Sequence, residues 1–202
     1  MLAACLMGAA GFAGAASPES HPPEILRAKA EPATVQVQGD TLYYTGNFST
    51  ASSAAFDAVV AGIARGQITR LVISSGGGDT VAGRHVGRWV SDMGLVVEVD
   101  VICFSSCADY IFPAGRARVI RADAFVGWHG NERTFHVQAA RDGKRLEDLL
   151  AQYVPKDASP EQRTAFFRDF AETTKVTLKD EADFYAKMGL DDAFAGCAVG
   201  DM

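Results

Sequence analysis

Val101 to Gly130 reads VICFSSCADYIFPAGRARVIRADAFVGWHG, and the rest of the chain is read outward from it. It opens as a buried strand and turns through Ser105-Ser106 between Cys103 and Cys107. It then runs into an apolar helix, and a second strand ends at Trp128-His129-Gly130. A small nucleophile between a strand and a helix start is chemically informative. The first N–H groups of a helix lack intrahelical partners and carry partial positive charge, which suits a developing oxyanion. A histidine can supply the base that such a nucleophile needs.

Upstream, strands and helices alternate. Val35 to Gln38 alternates in polarity, Gly39-Asp40 turns, and Thr41 to Thr45 follows, which predicts a hairpin of exposed strands. Ser49 caps a helix with Phe56, Val59, Val60 and Ile63 at helical spacing, stopping near Gly66. Ile68 to Ile73 is a β-branched run, read as a buried parallel strand. Ser74-Ser75-Gly76-Gly77-Gly78 breaks it. Val81 to Met93 is the next helix, Leu95 to Ile102 the next strand, and Ala108 to Phe112 the next helix. Short strands follow at Arg118 to Ile120 and Ala124 to Trp128. That alternation predicts an α/β domain with a mostly parallel sheet.

Downstream of His129 the pattern becomes helical. Residues 133–142 are polar and read as a strand or arm. Leu146 to Tyr153, Pro160 to Thr174 and Lys179 to Met188 read as three helices, with Phe166, Phe167 and Phe170 as an apolar stripe.

The chain has 202 residues, 48% hydrophobic and 22% charged, enough for one domain with a proper core. Its net charge of −6 argues against a nucleic-acid partner, which usually meets a basic face. Residues 1–16 are uncharged and small or apolar, and they end in Gly14-Ala15-Ala16 before Ser17-Pro18. They read as a signal-peptide-like segment whose basic start is missing. Leu2-Ala3-Ala4-Cys5 also resembles a lipoprotein box, a less favoured reading. Residues 17–34 are a polar, Pro-rich linker, so a single domain is expected over 35–202, beginning near Val35. Export would place Cys103, Cys107 and Cys197 in an oxidising periplasm. Cys103–Cys107 and Cys107–Cys197 both remain open as disulfides.

The glycine turn has three readings. A phosphate loop would be followed by Gly-Lys-Ser/Thr, which is absent. GGGDTVAG meets the dinucleotide fingerprint only with stretched spacing. An oxyanion loop needs one well-aimed N–H. A zinc site falls short, because Cys-x3-Cys with one histidine is not a four-ligand set; no metal or cofactor is expected.

Taken together these stretches resemble a known family. Ser75-Gly76-Gly77-Gly78-Asp79-Thr80-Val81-Ala82-Gly83 resembles the S-P-G-G-x-x-x-A-G loop of the Clp protease proteolytic subunit. Ser106 to Gly115 resembles its nucleophile helix, with the closing Ala-Gly in register. Phe125 to His129 resembles the strand that carries its histidine, and Met188 to Asp192 its segment after the last helix. The Cys-x-Ser-Ser-Cys form with a signal-like start is closer still to periplasmic Clp-protease-like proteins. The resemblance implies the Clp protease/crotonase fold, a spiral of ββα units with a helical C-terminal part.

It further implies Ser106 as nucleophile, His129 as general base, and backbone N–H groups of Gly77 and Cys107 as the oxyanion hole. Ser105 is the alternative nucleophile; placing it there puts Asp109 where the family has an apolar residue. The family's acid position falls on Thr177 or Thr174, so Asp180 is the nearest substitute and Glu172 the next. The expected activity is that of an exported serine hydrolase, peptidase-like, acting on a peptide or protein. A homo-oligomer is compatible with this, and no ATPase partner is expected where there is no ATP. The alternatives are an inactive fold kept as a periplasmic binding or assembly module, and an acyl-thioester site using the same oxyanion geometry.

Overall fold

The computed structural model describes residues 26–134, 148, 151 and 154–191. Residues 1–16, most of the expected arm and 146–153 helix, Asp192 and Cys197 lie outside them. The chain divides into two compact units, Met1–Trp128 and His129–Met202.

The first unit is a mixed α/β domain with a mostly parallel sheet. Its strands are β1 (Thr34–Gln38), β2 (Thr41–Thr45), β3 (Arg70–Ser75), β4 (Val96–Phe104), β5 (Ala117–Ile120) and β6 (Phe125–Gly127). They lie in the order β1-β2-β3-β4-β5, with β6 also on β4. Among the described residues only the β1–β2 hairpin is antiparallel. The hairpin was expected to be exposed, but β2 is interior. It pairs with β3 as well as β1, and Leu42 and Tyr44 are fully buried. The alternation Leu-Tyr-Tyr reads as half-exposed only until a second neighbour covers it.

The helices between strands follow from local chemistry. Helix α1 (Thr50–Val60) starts at Ser49, whose Oγ accepts the Ser52 N–H at 3.1 Å. It ends at Val60 rather than near Gly66, because Ala61 turns to extended ψ and Gly62 has φ 80°. Helix α2 (Thr80–Met93) is capped by Asp79, which accepts the Ala82 N–H at 2.7 Å, and it ends on left-handed Gly94. Phe56 of α1 meets Trp89 of α2 edge-on at 5.3 Å. The core between helices and sheet is built on Leu71, Ile73, Val86, Val90, Val97 and Val99.

Packing in the first unit includes residues upstream of Val35. Ala28 and Ala33 are buried, and the carbonyls of Ala28 and Ala30 accept the N–H groups of Gly76 and Asn47. The end of the presumed linker thus braces the glycine turn.

Strand β4 serves two partners in succession. Val96 to Val99 pair with β5, and Ile102 to Phe104 pair with β6. Asp100 and Val101 fall in the gap where the partner changes.

In the second unit, Pro160–Lys187 forms one helix, α4, where two had been expected. The residues joining the expected halves, Thr174 to Lys179, contain no glycine or proline to stop it. Ser159 and Gln162 form a capping box at its start. Gly189 ends it in a Schellman motif: its N–H reaches the Ala186 carbonyl, and Leu190 N–H reaches that of Tyr185. The Phe166, Phe167 and Phe170 rings contact one another along one side. Among the described residues no helix is long and apolar enough to cross a membrane.

Candidate active site

The site is built where β3 and β4 end side by side. After Ser75 the chain turns through Gly77 (φ 97°) and Gly78 (φ 125°), conformations that side chains rarely adopt. A Cβ on Gly78 would lie 2.3 Å from the Phe48 carbonyl oxygen, and one on Gly77 would lie 2.6 Å from the Ser105 Cβ. Glycine is therefore required here for close approach: the loop lies directly against Phe48 and the serine turn. Phe48 N–H donates to the Gly77 carbonyl at 2.7 Å, and Asp79 N–H to the Phe48 carbonyl. The Gly77 N–H donates to Ser75 Oγ at 3.1 Å.

Cys103 and Cys107 are joined in a disulfide with their Cα atoms 5.1 Å apart. This settles the pairing in favour of the local candidate over Cys107–Cys197. Between them, Ser105 has φ 56°, and it alone among the described non-glycine residues is left-handed. Such a conformation costs about 1–3 kcal/mol and persists only when its surroundings impose it. Here the surroundings are visible: Ser105 N–H donates to the Gly127 carbonyl, and its own carbonyl accepts the Asp109 N–H.

The two serines differ in state. Ser106 is buried, and its Oγ donates to the Gly78 carbonyl at 2.7 Å. Ser105 is half-buried. The helix after them, α3, opens as a π turn over Cys107–Ile111 and continues as Phe112–Ala114. In the π turn Phe112 N–H reaches back to the Cys107 carbonyl. The next bond of that kind would come from residue 113, which is a proline without an N–H. Trp128 supplies the missing donor: its indole Nε1 donates to the Ala108 carbonyl at 3.0 Å. Trp128 also packs, meeting the Phe112 ring edge-on.

The π turn changes the register of the site. It takes one residue more than an α turn. Counting back from Ala114-Gly115 along an α-helix lands on Ser106; allowing for the wide turn lands on Ser105. Asp109, which had argued against Ser105, is then absorbed in the wide turn, where it is buried.

Arg84 of α2 is fully buried beside this helix. Its Nη1 donates to the Tyr110 hydroxyl at 3.3 Å and its guanidinium lies 5.2 Å from the Tyr110 ring centroid. Gly83 permits that approach, since a Cβ there would be 2.9 Å from the Tyr110 ring. The apolar spacing of α2 gave no sign of a buried arginine.

In the second unit, His129 is exposed and Asp180 is half-buried. Glu172 is exposed and pairs with Lys175. Thr174 is buried and Thr177 half-buried. The buried carboxylate of α4 is Glu181, 1% exposed, which accepts the Arg133 N–H. Sequence spacing had not distinguished it from its neighbours. Among the described residues, no cluster of three or more His, Cys, Asp or Glu could hold a metal.

Fold and turn together define the class: a mixed α/β protein with a mostly parallel sheet and a strained serine turn between strand and helix. Among solved structures the chain is similar to Pseudomonas aeruginosa DspI, at 13% identity and TM-score 0.37, over 48% of this chain and 52% of that one. It is also similar to methylmalonyl-CoA decarboxylase complexed with 2S-carboxypropyl-CoA, at 9% identity and TM-score 0.35, over 46% and 47%. A third is an enoyl-CoA hydratase from Mycobacterium avium subsp. paratuberculosis K-10, at 9% identity and TM-score 0.40, over 83% and 88%. The chain spans about half the length of the first two. No protein-family model and no curated protein matches it.

Proposed function

We propose that this chain is an exported serine hydrolase acting on a peptide or protein, with Ser105 as its nucleophile. The observation that carries the reading is the left-handed backbone of Ser105, held between strand end and π turn against Gly77. A strained, half-buried serine at a helix start is what nucleophilic acyl transfer uses. Ser106 then acts as a positioning residue, because its hydroxyl ties the turn to Gly78. The one-residue shift gives the oxyanion role assigned to Cys107 to the Ser106 N–H, alongside that of Gly77. His129 keeps the role of base on the sequence resemblance, and Asp180 that of the orienting acid. Export is supported by the signal-like start and by the Cys103–Cys107 disulfide, a bond that persists in oxidising compartments.

A second reading, an inactive binding module, is favoured by one observation: the Gly77 N–H is taken by Ser75 Oγ. Fluorophosphonate labelling with mapping of the modified residue decides between them. The hydrolase reading expects an adduct on Ser105 that is lost in Ser105→Ala and His129→Ala and persists, more slowly formed, in Ser106→Ala. An adduct on Ser106 would move the nucleophile. No adduct under oxidising or reducing conditions would establish the binding module.

A further inference from the structure

We propose that the cleft at the carboxyl ends of β2, β3 and the first half of β4 is a separate binding site for a small zwitterion, an amino acid or short peptide with free ends. The cleft is a cavity of about 530 Å³ within the first unit, inside the usual range of about 300–1,000 Å³ for small-molecule sites. It exists because β4 changes partner. Between Ile120 and Phe125 no strand accompanies Asp100 and Val101, and the sheet opens. The carboxyl ends of parallel strands, where the topology divides, are where open α/β sheets bind ligands.

Its lining is chemically uneven. Arg121 is already engaged, with Nε on Glu98 at 2.7 Å and Nη1 on Asp100. Arg27 and Asp123 also line the cleft, and neither side chain has an ion pair with a described residue. Arg27 is held in place through its neighbour Ala28, which is buried and bonded to Gly76. At the floor is Ser74, 4% exposed, whose Oγ has no hydrogen-bond partner among the described residues. A buried hydroxyl left unpaired costs about 1–3 kcal/mol, and Ser74 lines the cavity, where a ligand can partner it. Among the described residues of the lining, one cation without an ion pair, one such anion and one unsatisfied hydroxyl form a set that a carboxylate, an ammonium and a polar backbone atom complete together. A purely anionic ligand would leave Asp123 facing like charge.

The test titrates isotope-labelled full-length protein with 6-aminohexanoate, a zwitterion with no bond for a hydrolase to cleave. Saturable amide shifts are expected at Arg27, Ser74 and Asp123, with Kd raised about tenfold by Arg27→Ala and by Asp123→Asn. Ser74→Ala should weaken binding by a smaller factor. Hexanoate and hexylammonium, each carrying one charged end, should bind about tenfold more weakly than the zwitterion. If hexanoate binds as tightly as 6-aminohexanoate, the zwitterion assignment is overturned. So it is if no saturable shifts appear up to the solubility limit, or if they appear only at the serine turn. Should a variant fail to fold, the three ligands on the native chain decide alone. None of these residues is the proposed nucleophile, base, orienting acid or oxyanion donor, so failure here leaves the hydrolase reading untouched, and the reverse holds.

Discussion

At the scale of single residues, Gly78 shows how little freedom the turn has. A Cβ there meets backbone atoms of Phe48, which cannot swing aside, and φ is 125°. Gly78→Ala should cost about 3 kcal/mol or more in urea unfolding, the sum of backbone strain and displaced packing. A loss under about 0.5 kcal/mol, the range of an ordinary surface substitution, would mean that the loop is not pressed on Phe48 as described. Ser105 and Ser106 make the complementary point. Two adjacent hydroxyls identical in sequence differ because one sits at the strained vertex and the other donates to a carbonyl. No residue pattern separates them; the backbone angle does.

At the scale of elements, the join between α3 and β6 depends on Trp128 answering for Pro113. Trp128→Phe should lower stability by about 1–3 kcal/mol, the cost of leaving the Ala108 carbonyl unsatisfied. Pro113→Ala restores an N–H to residue 113, so the double variant should lose less than the two single changes summed. Simple additivity in the denaturation cycle would argue against the compensation. A second element-scale contact ties β3, β4 and the loop after β5 through Glu98, which is buried and bonded to Arg121 and Arg70. Burial by itself would raise the Glu98 pKa. The two arginines outweigh it and hold the carboxyl below its ordinary value. With the folded pKa depressed, the stabilisation is fully present above the unfolded value, about 4.3. It is lost as pH falls through the folded pKa. Glu98→Gln should therefore flatten the pH dependence of stability in that acid range, measured by thermal unfolding between neutral and acid pH. An unchanged slope would show that the pair contributes no linkage.

At the scale of the whole molecule, the disulfide is the covalent constraint closest to the proposed chemistry. It closes a loop with a sequence separation of 4, so its removal should cost about 2 kcal/mol by the loop-entropy relation. Protein made under reducing conditions, or the Cys103→Ala/Cys107→Ala variant, should melt lower accordingly. Equal melting temperatures for the oxidised and reduced forms would show that the bond does not constrain folding. The same experiment bears on function, because labelling of Ser105 in the oxidised form would show that the serine turn works with the bond closed.

Much of the fold was legible in the residues. The strand and helix order through β6, the helix cap at Ser49, and the glycine turn all follow from local propensity and spacing, which act within a few residues. The sequence by itself thus determined an α/β domain with a mostly parallel sheet, a tight loop at Gly77-Gly78, and two serines between two cysteines at a helix start. Other features were decided only by the tertiary structure. These were the burial of β2 by a second neighbour, the packing of Ala28 against the turn and the buried Arg84. They also include the single α4, the gap that opens the cleft at Ser74, and the wide turn beside the left-handed backbone of Ser105. Each depends on partners distant in the chain or on a one-residue change of helix pitch, and a linear pattern read at 3.6 or 2 residues per repeat carries neither.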